Sequence, residues 1–79
     1  MNLIKDLRGY VLEEKFKMNY FDNKLDIINY KEISHFDSNK IIVIYQNGSI
    51  VVSGKNLVVS KLLHDELLIE GNIDKIELR

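Results

Sequence analysis

Apolar residues recur along this chain at two different spacings. From Met1 to about Gly9, Leu3, Ile4 and Leu7 fall at helical intervals, predicting a short amphipathic helix or arm over 1–9. So short a helix would have to dock on a larger body, since isolated helices below roughly 12 residues are marginal in water. From Tyr10 onward the pattern is that of strands. Tyr10, Leu12, Phe16, Met18 and Tyr20 alternate with polar residues, interrupted at Glu14, and predict a strand with a ragged start over 10–20. Phe21-Asp22-Asn23-Lys24 contains two residues that tolerate left-handed backbone and predicts a turn. A strand over 25–30 follows, with Leu25 and Ile27 on one face and Ile28 and Tyr30 on the other. Residues 32–36 read as its short continuation, and Asp37-Ser38-Asn39 as an Asx-type turn.

The strongest pattern lies between Lys40 and Gly54, where two β-branched runs flank Asn47-Gly48. Asn-Gly readily takes φ > 0 at both central positions of a type I′ turn, so the stretch predicts a two-residue hairpin. That turn sets Gln46 opposite Ser49, Tyr45 opposite Ile50, Val43 opposite Val52 and Ile42 opposite Ser53. One face then carries Ile42, Ile44 and Val51, the other Ile41, Val43, Tyr45, Ile50 and Val52. Both faces are apolar. A hairpin open to water on one side should alternate polar with apolar, so each face needs a cover: other strands, the N-terminal segment or a second copy. The face of Ile41, Val43, Tyr45, Ile50 and Val52 is the candidate interaction surface.

Beyond the hairpin, residues 57–59 predict a strand, 62–65 a turn, 66–70 a strand, and Gly71-Asn72 a turn into a last strand through Ile76 and Leu78. Asn47, Gly48, Gly54 and Gly71 are placed at turns, where tight reversal suits them. The chain contains no proline, so no strand is demoted on that ground. The expectation is one all-β, mainly antiparallel domain over 1–79, its β part beginning at residue 10. Six or seven short strands would form a small curled sheet, a barrel or a flattened β-roll.

At 79 residues and 9.3 kDa, the chain is near the size where a single core gives only about 3–5 kcal/mol. It has no cysteine, which excludes disulfide staples, thiolate metal sites and thiol redox chemistry. A net charge of −1 and a pI of about 6.1 leave no basic excess for phosphate backbones, so nucleic acid is not an expected partner. Charged residues break the apolar ones at the N-terminus before a signal-peptide core could form, and Ile41–Tyr45 is far short of the ~20 residues of a membrane-spanning helix. A cytosolic protein without a transmembrane segment is expected. Asn47-Gly48-Ser49 matches a glycosylation sequon formally, but the hairpin turn accounts for it.

Little in the sequence calls for chemistry. His35 and His64 both lie beside acids, yet a zinc or catalytic site needs them to converge with a third ligand. The plainer reading makes His64-Asp65-Glu66 a solvated turn and His35 a strand-end polar residue. Ser34-His35-Phe36-Asp37 collects triad residue types, but neighbours in an extended chain point to opposite faces. The aspartates lack calcium-loop spacing and the glycines form no phosphate loop. No catalytic, cofactor-binding or metal-binding residues are assigned. The aromatic residues could stack bases, as on a small Sm-like or OB-like barrel binding single strands; that is the alternative function, and the lack of a cationic groove weighs against it.

Three stretches carry a family resemblance. They are Leu25-Asp-Ile-Ile-Asn29-Tyr-Lys-Glu-Ile-Ser-His-Phe36-Asp37-Ser38, Asn47-Gly48-Ser-Ile-Val-Val-Ser-Gly54-Lys-Asn56-Leu57, and Glu66-Leu-Leu-Ile-Glu70-Gly71-Asn-Ile73. In order and spacing they resemble the YabP/YqfC family of small sporulation proteins, over about two thirds of the chain. Each motif is weak alone; together they make the likeness. The chain departs from the pattern at Lys31-Glu32, in place of a glycine, and in lacking a proline. The resemblance implies a non-enzymatic assembly or adaptor module of spore-envelope formation. It would act in the mother-cell cytoplasm or peripherally at the forespore outer membrane, with a sporulation membrane protein as a candidate partner; the doubly apolar hairpin adds the expectation of a homo-oligomer. It implies no catalytic residue, and Gly48, Gly54 and Gly71 carry over only as turn positions.

Overall fold

A computed structural model describes residues 15–79. The expected helix over 1–9 and the start of the strand expected from residue 10 lie outside the described residues. Six strands form: β1 (Lys17–Phe21), β2 (Lys24–Ile28), β3 (Glu32–Phe36), β4 (Lys40–Tyr45), β5 (Gly48–Leu62) and β6 (Glu66–Leu78). All belong to one antiparallel sheet in the order β1-β2-β6-β5-β4-β3. The all-β expectation holds. Among the described residues the sheet stays open, with β1 and β3 at its two edges, and no barrel closes.

Local chemistry sets each reversal. Asp22 (φ 53°) and Asn23 (φ 59°) both have positive φ, and Phe21 pairs with Lys24, so the type I′ hairpin turn lies here. Between β3 and β4, Asp37 Oδ1 accepts hydrogen bonds from the backbone N–H groups of Asn39 (2.7 Å) and Lys40 (2.8 Å), the expected Asx turn. β3 is a separate strand at the far edge, not a continuation of β2: Asn29 turns the chain with φ 66°.

The hairpin of β4 and β5 forms one step earlier than the Asn-Gly signal indicated. Tyr45 pairs with Gly48, Ile44 with Ser49, Val43 with Ile50 and Ile42 with Val51, so Gln46 and Asn47 make the turn. Neither of them nor Gly48 has positive φ, so this is not a type I′ turn. The slip moves each partner by two residues, and side chains alternate with a period of two, so the two faces keep the predicted membership.

β5 and β6 are long because each runs through a bend. Their pairing is irregular between Ser53 and Gly54, between Lys55 and Val58, and between Val59 and Lys61. Gly54 and Gly71 are therefore inside strands, correcting their placement at strand-ending turns. Gly71 has φ 136°, a region open essentially to glycine, and a Cβ there would meet the Asn56 carbonyl oxygen at 2.5 Å. A Cβ on Gly54 would collide with the Asn72 carbonyl oxygen. Two turns strap this bend. The N–H groups of Gly54 and Leu57 donate to the Asn39 and Ser38 carbonyls (3.0 and 2.9 Å), and the Gly71 N–H donates to the Asn23 carbonyl (3.3 Å).

Bending closes the core. Leu25 and Ile27 on β2 and Ile41 and Val43 on β4 are separated in the sheet by the two strands β6 and β5, yet all have 0% exposure and share one cluster with Ile50, Val52, Leu57, Leu67 and Ile69. A flat single sheet leaves both faces open to water. The observed burial needs the half bearing β1 and β2 to fold over the half bearing β3 and β4.

Candidate functional site

The hairpin face singled out from sequence is the core. Ile41, Val43, Ile50 and Val52 are fully buried, and Tyr45 is half-buried beneath Phe16, ring centroids 4.2 Å apart and planes at 19°. The face did need a cover, and the cover is the chain's own β2 and the first half of β6, not a partner. On the opposite face, Val51 is buried beside Glu77, whose carboxylate meets Lys75 Nζ at 3.6 Å and an Arg79 guanidinium nitrogen at 3.3 Å. Ile42 and Ile44 are half-exposed there.

Exposed apolar side chains gather elsewhere. Tyr20 and Phe21 lie on edge strand β1, Phe36 on edge strand β3, and Leu62 and Leu63 at the tip joining β5 to β6. The two edges differ in form. β3 meets β4 with an irregularity between Ile33 and His35, the kind of bulge that blunts an edge, whereas β1 pairs with β2 in unbroken register.

Three titratable groupings stand out. His35 Nε2 and Asp37 Oδ2 are 2.8 Å apart, with both side chains about half exposed. Asp37 is held below the ordinary carboxylate range first by the Asn39 N–H, then by His35 and the Lys40 N–H. Sequence proximity brings this pair together, but nothing makes it a triad: Ser34 sits at the bulge between them and Ile33. His64 and Asp65 make the exposed tip turn, and Glu66 opens β6.

The third grouping was not visible in sequence. Asp26 on β2, Glu66 on β6 and Lys61 on β5 share the outer face, with Lys61 Nζ 3.6 Å from Glu66 Oε2. Asp26 Oδ1 is buried without a hydrogen-bond donor among the described residues. Its neighbour on that face is Glu66, a second acidic side chain. Burial first, then the Glu66 hydrogen bond and charge, raise Asp26 above its usual 3.8, with Lys61 opposing. Among the described residues no three His, Cys, Asp or Glu side chains are grouped to hold a metal ion.

The YabP family model matches residues 14–79. The chain belongs to the YabP family. A curated relative, described as the uncharacterized protein YqfC of Bacillus subtilis (strain 168), is 34% identical over 50 residues. The match covers 63% of this chain and 54% of that protein, so it spans about half the relative's length. In this YabP-family chain no helix of the described residues is long and apolar enough to cross a membrane.

The surface that sequence reasoning missed is the edge of β1. The alternation that sets Met18 and Tyr20 on one face of a strand holds locally in β1. That the strand is an edge follows from the sheet order, which no local pattern carries. The one local signal is the Asp22-Asn23 turn, which pairs β1 with β2 in a tight hairpin and leaves open which arm is the outer one.

Proposed function

We propose that this chain is a non-enzymatic assembly or adaptor module of spore-envelope formation, acting on the mother-cell side of the forespore outer membrane. The observation that carries the reading is the open sheet: its core is closed by the chain itself, while, among the described residues, two edge strands and a tip have no strand beyond them and carry large exposed apolar side chains. Edges of this kind bind by adding a strand, with main-chain hydrogen bonds supplying affinity and alternate side chains supplying specificity. YabP family membership and the resemblance to small sporulation proteins support the proposed cellular setting.

The test is a deletion in the source organism, followed through growth and spore formation. Normal vegetative growth, fewer heat-resistant spores and misassembled envelope layers in electron micrographs are expected. Normal spores with an intact envelope would contradict the reading.

A further inference from the structure

We propose that the outer edge of β1 is a homotypic docking strand, to which a second copy of the chain adds antiparallel about a two-fold axis at Asn19. This deepens the assembly reading and rests on it.

The backbone fixes which residues can pair outward. Asn23 accepts from the Gly71 N–H and Asn29 donates to the Asp65 carbonyl, so the odd-numbered residues of β2 bond to β6. Lys24, Asp26 and Ile28 then bond to β1, through their partners Phe21, Asn19 and Lys17. Met18 and Tyr20 are left pointing their N–H and C=O groups away from the sheet, and no described strand meets them.

An antiparallel partner must oppose outward-pointing residues to outward-pointing residues. A two-fold axis at Asn19 does this over the whole strand: Met18 meets Tyr20 of the second copy, and Tyr20 meets its Met18, each pair exchanging both hydrogen bonds. Side chains agree with that register. Lys17 comes opposite Phe21, a cation beside an aromatic ring; Asn19 comes opposite Asn19, neutral and able to bond to itself; no like charges meet. The exposed rings of Tyr20 (51%) and Phe21 (54%) would both be covered.

The other edge lacks these properties. The bulge at Ser34 breaks the regular alternation of outward groups on β3, so a second copy finds no continuous ladder there. Natural edges are defended by bulges, charges or proline; β3 has the first, whereas β1 has a single lysine, no bulge and two exposed aromatic rings.

Because the chain has no cysteine, a single introduced thiol reports the axis directly. Directly opposed residues of a non-hydrogen-bonded antiparallel pair have Cα atoms about 4.5 Å apart, within disulfide reach. Full-length Asn19→Cys is expected to form a covalent dimer under mild oxidation, many-fold faster than Ser34→Cys on β3. Asn19→Lys sets like charges across the axis while facing Asp26 within its own copy. It should stay folded and weaken the dimer several-fold by analytical ultracentrifugation, with added salt restoring part of the loss. Equal cross-linking at the two positions would overturn the proposal. So would a wild-type chain that sediments as a monomer at high concentration, including one whose own residues 1–14 cover the edge. Failed cross-linking overturns β1 pairing and leaves the deletion phenotype standing; a deletion strain with normal spores overturns the assembly reading even if the dimer forms.

Discussion

Phe16 stacks on Tyr45 with ring centroids 4.2 Å apart and planes at 19°. Phe16 immediately precedes edge strand β1, while Tyr45 ends β4 in the other half of the bent sheet. The contact therefore joins the two halves at a point where no strand pairing does. It also anchors the approach to β1, and so the position of the edge that we propose for docking.

A double-mutant cycle measures this link. Phe16→Ala and Tyr45→Ala should each lower stability to urea, with a coupling of about 0.5–1.5 kcal/mol, the range of packed aromatic pairs. Additive losses would mean that the rings do not act together.

Val43→Glu distinguishes a core face from an interface. Val43 has no exposure, so a glutamate there buries an unpaired charge and should cost roughly 3 kcal/mol or more, comparable to the whole stability of so small a domain. Loss of the β-sheet circular dichroism signal is expected for Val43→Glu, and near-native folding for Ile42→Glu on the half-exposed face. A folded Val43→Glu protein would return that face to the surface.

The bend depends on Gly71. With φ 136° and the Asn56 carbonyl 2.5 Å from any added Cβ, Gly71→Ala combines backbone strain with a clash against main chain. A loss of about 1–3 kcal/mol is expected from the strain alone. An unchanged urea midpoint would show that the sheet can bend elsewhere.

Asp26 gives the pH dependence. Its folded-state pKa is raised above 3.8, so its contribution to stability is fully present below that value and is lost as pH rises through the raised one. At neutral pH the ionised group faces Glu66 without a donor, and Asp26→Asn supplies one. The variant should gain no more than about 1 kcal/mol at neutral pH, because the group is only partly buried, and the gain should vanish in acid. Urea midpoints that fall at neutral pH, or rise equally at both pH values, would contradict this assignment.

Much of the architecture can be read locally. The β-branched runs around Asn47-Gly48 mark a hairpin and sort its faces correctly, because a slip of two residues preserves parity. The turn itself is displaced because Asn-Gly is only a preference: Gln46-Asn47 reverses the chain with negative φ, and the type I′ geometry falls to Asp22-Asn23. Gly54 and Gly71 look like strand ends because glycine commonly stands there. They are interior bends, and what requires glycine is the backbone of a neighbouring strand, far away in sequence. For the same reason, the cover over Val43 and the exposure of Tyr20 cannot be read from their neighbours. Both depend on β6 inserting between β2 and β5.

The most direct test of docking through β1 is residue-resolved amide hydrogen exchange on the full chain at high and low concentration. With β1 docked on a second copy, the Met18 and Tyr20 amides are protected at high concentration and exposed on dilution or in Asn19→Lys, while the Asn19 amide, bonded to β2, is protected throughout. Rapid exchange of Met18 and Tyr20 at both concentrations, or protection that dilution does not change, would contradict that docking.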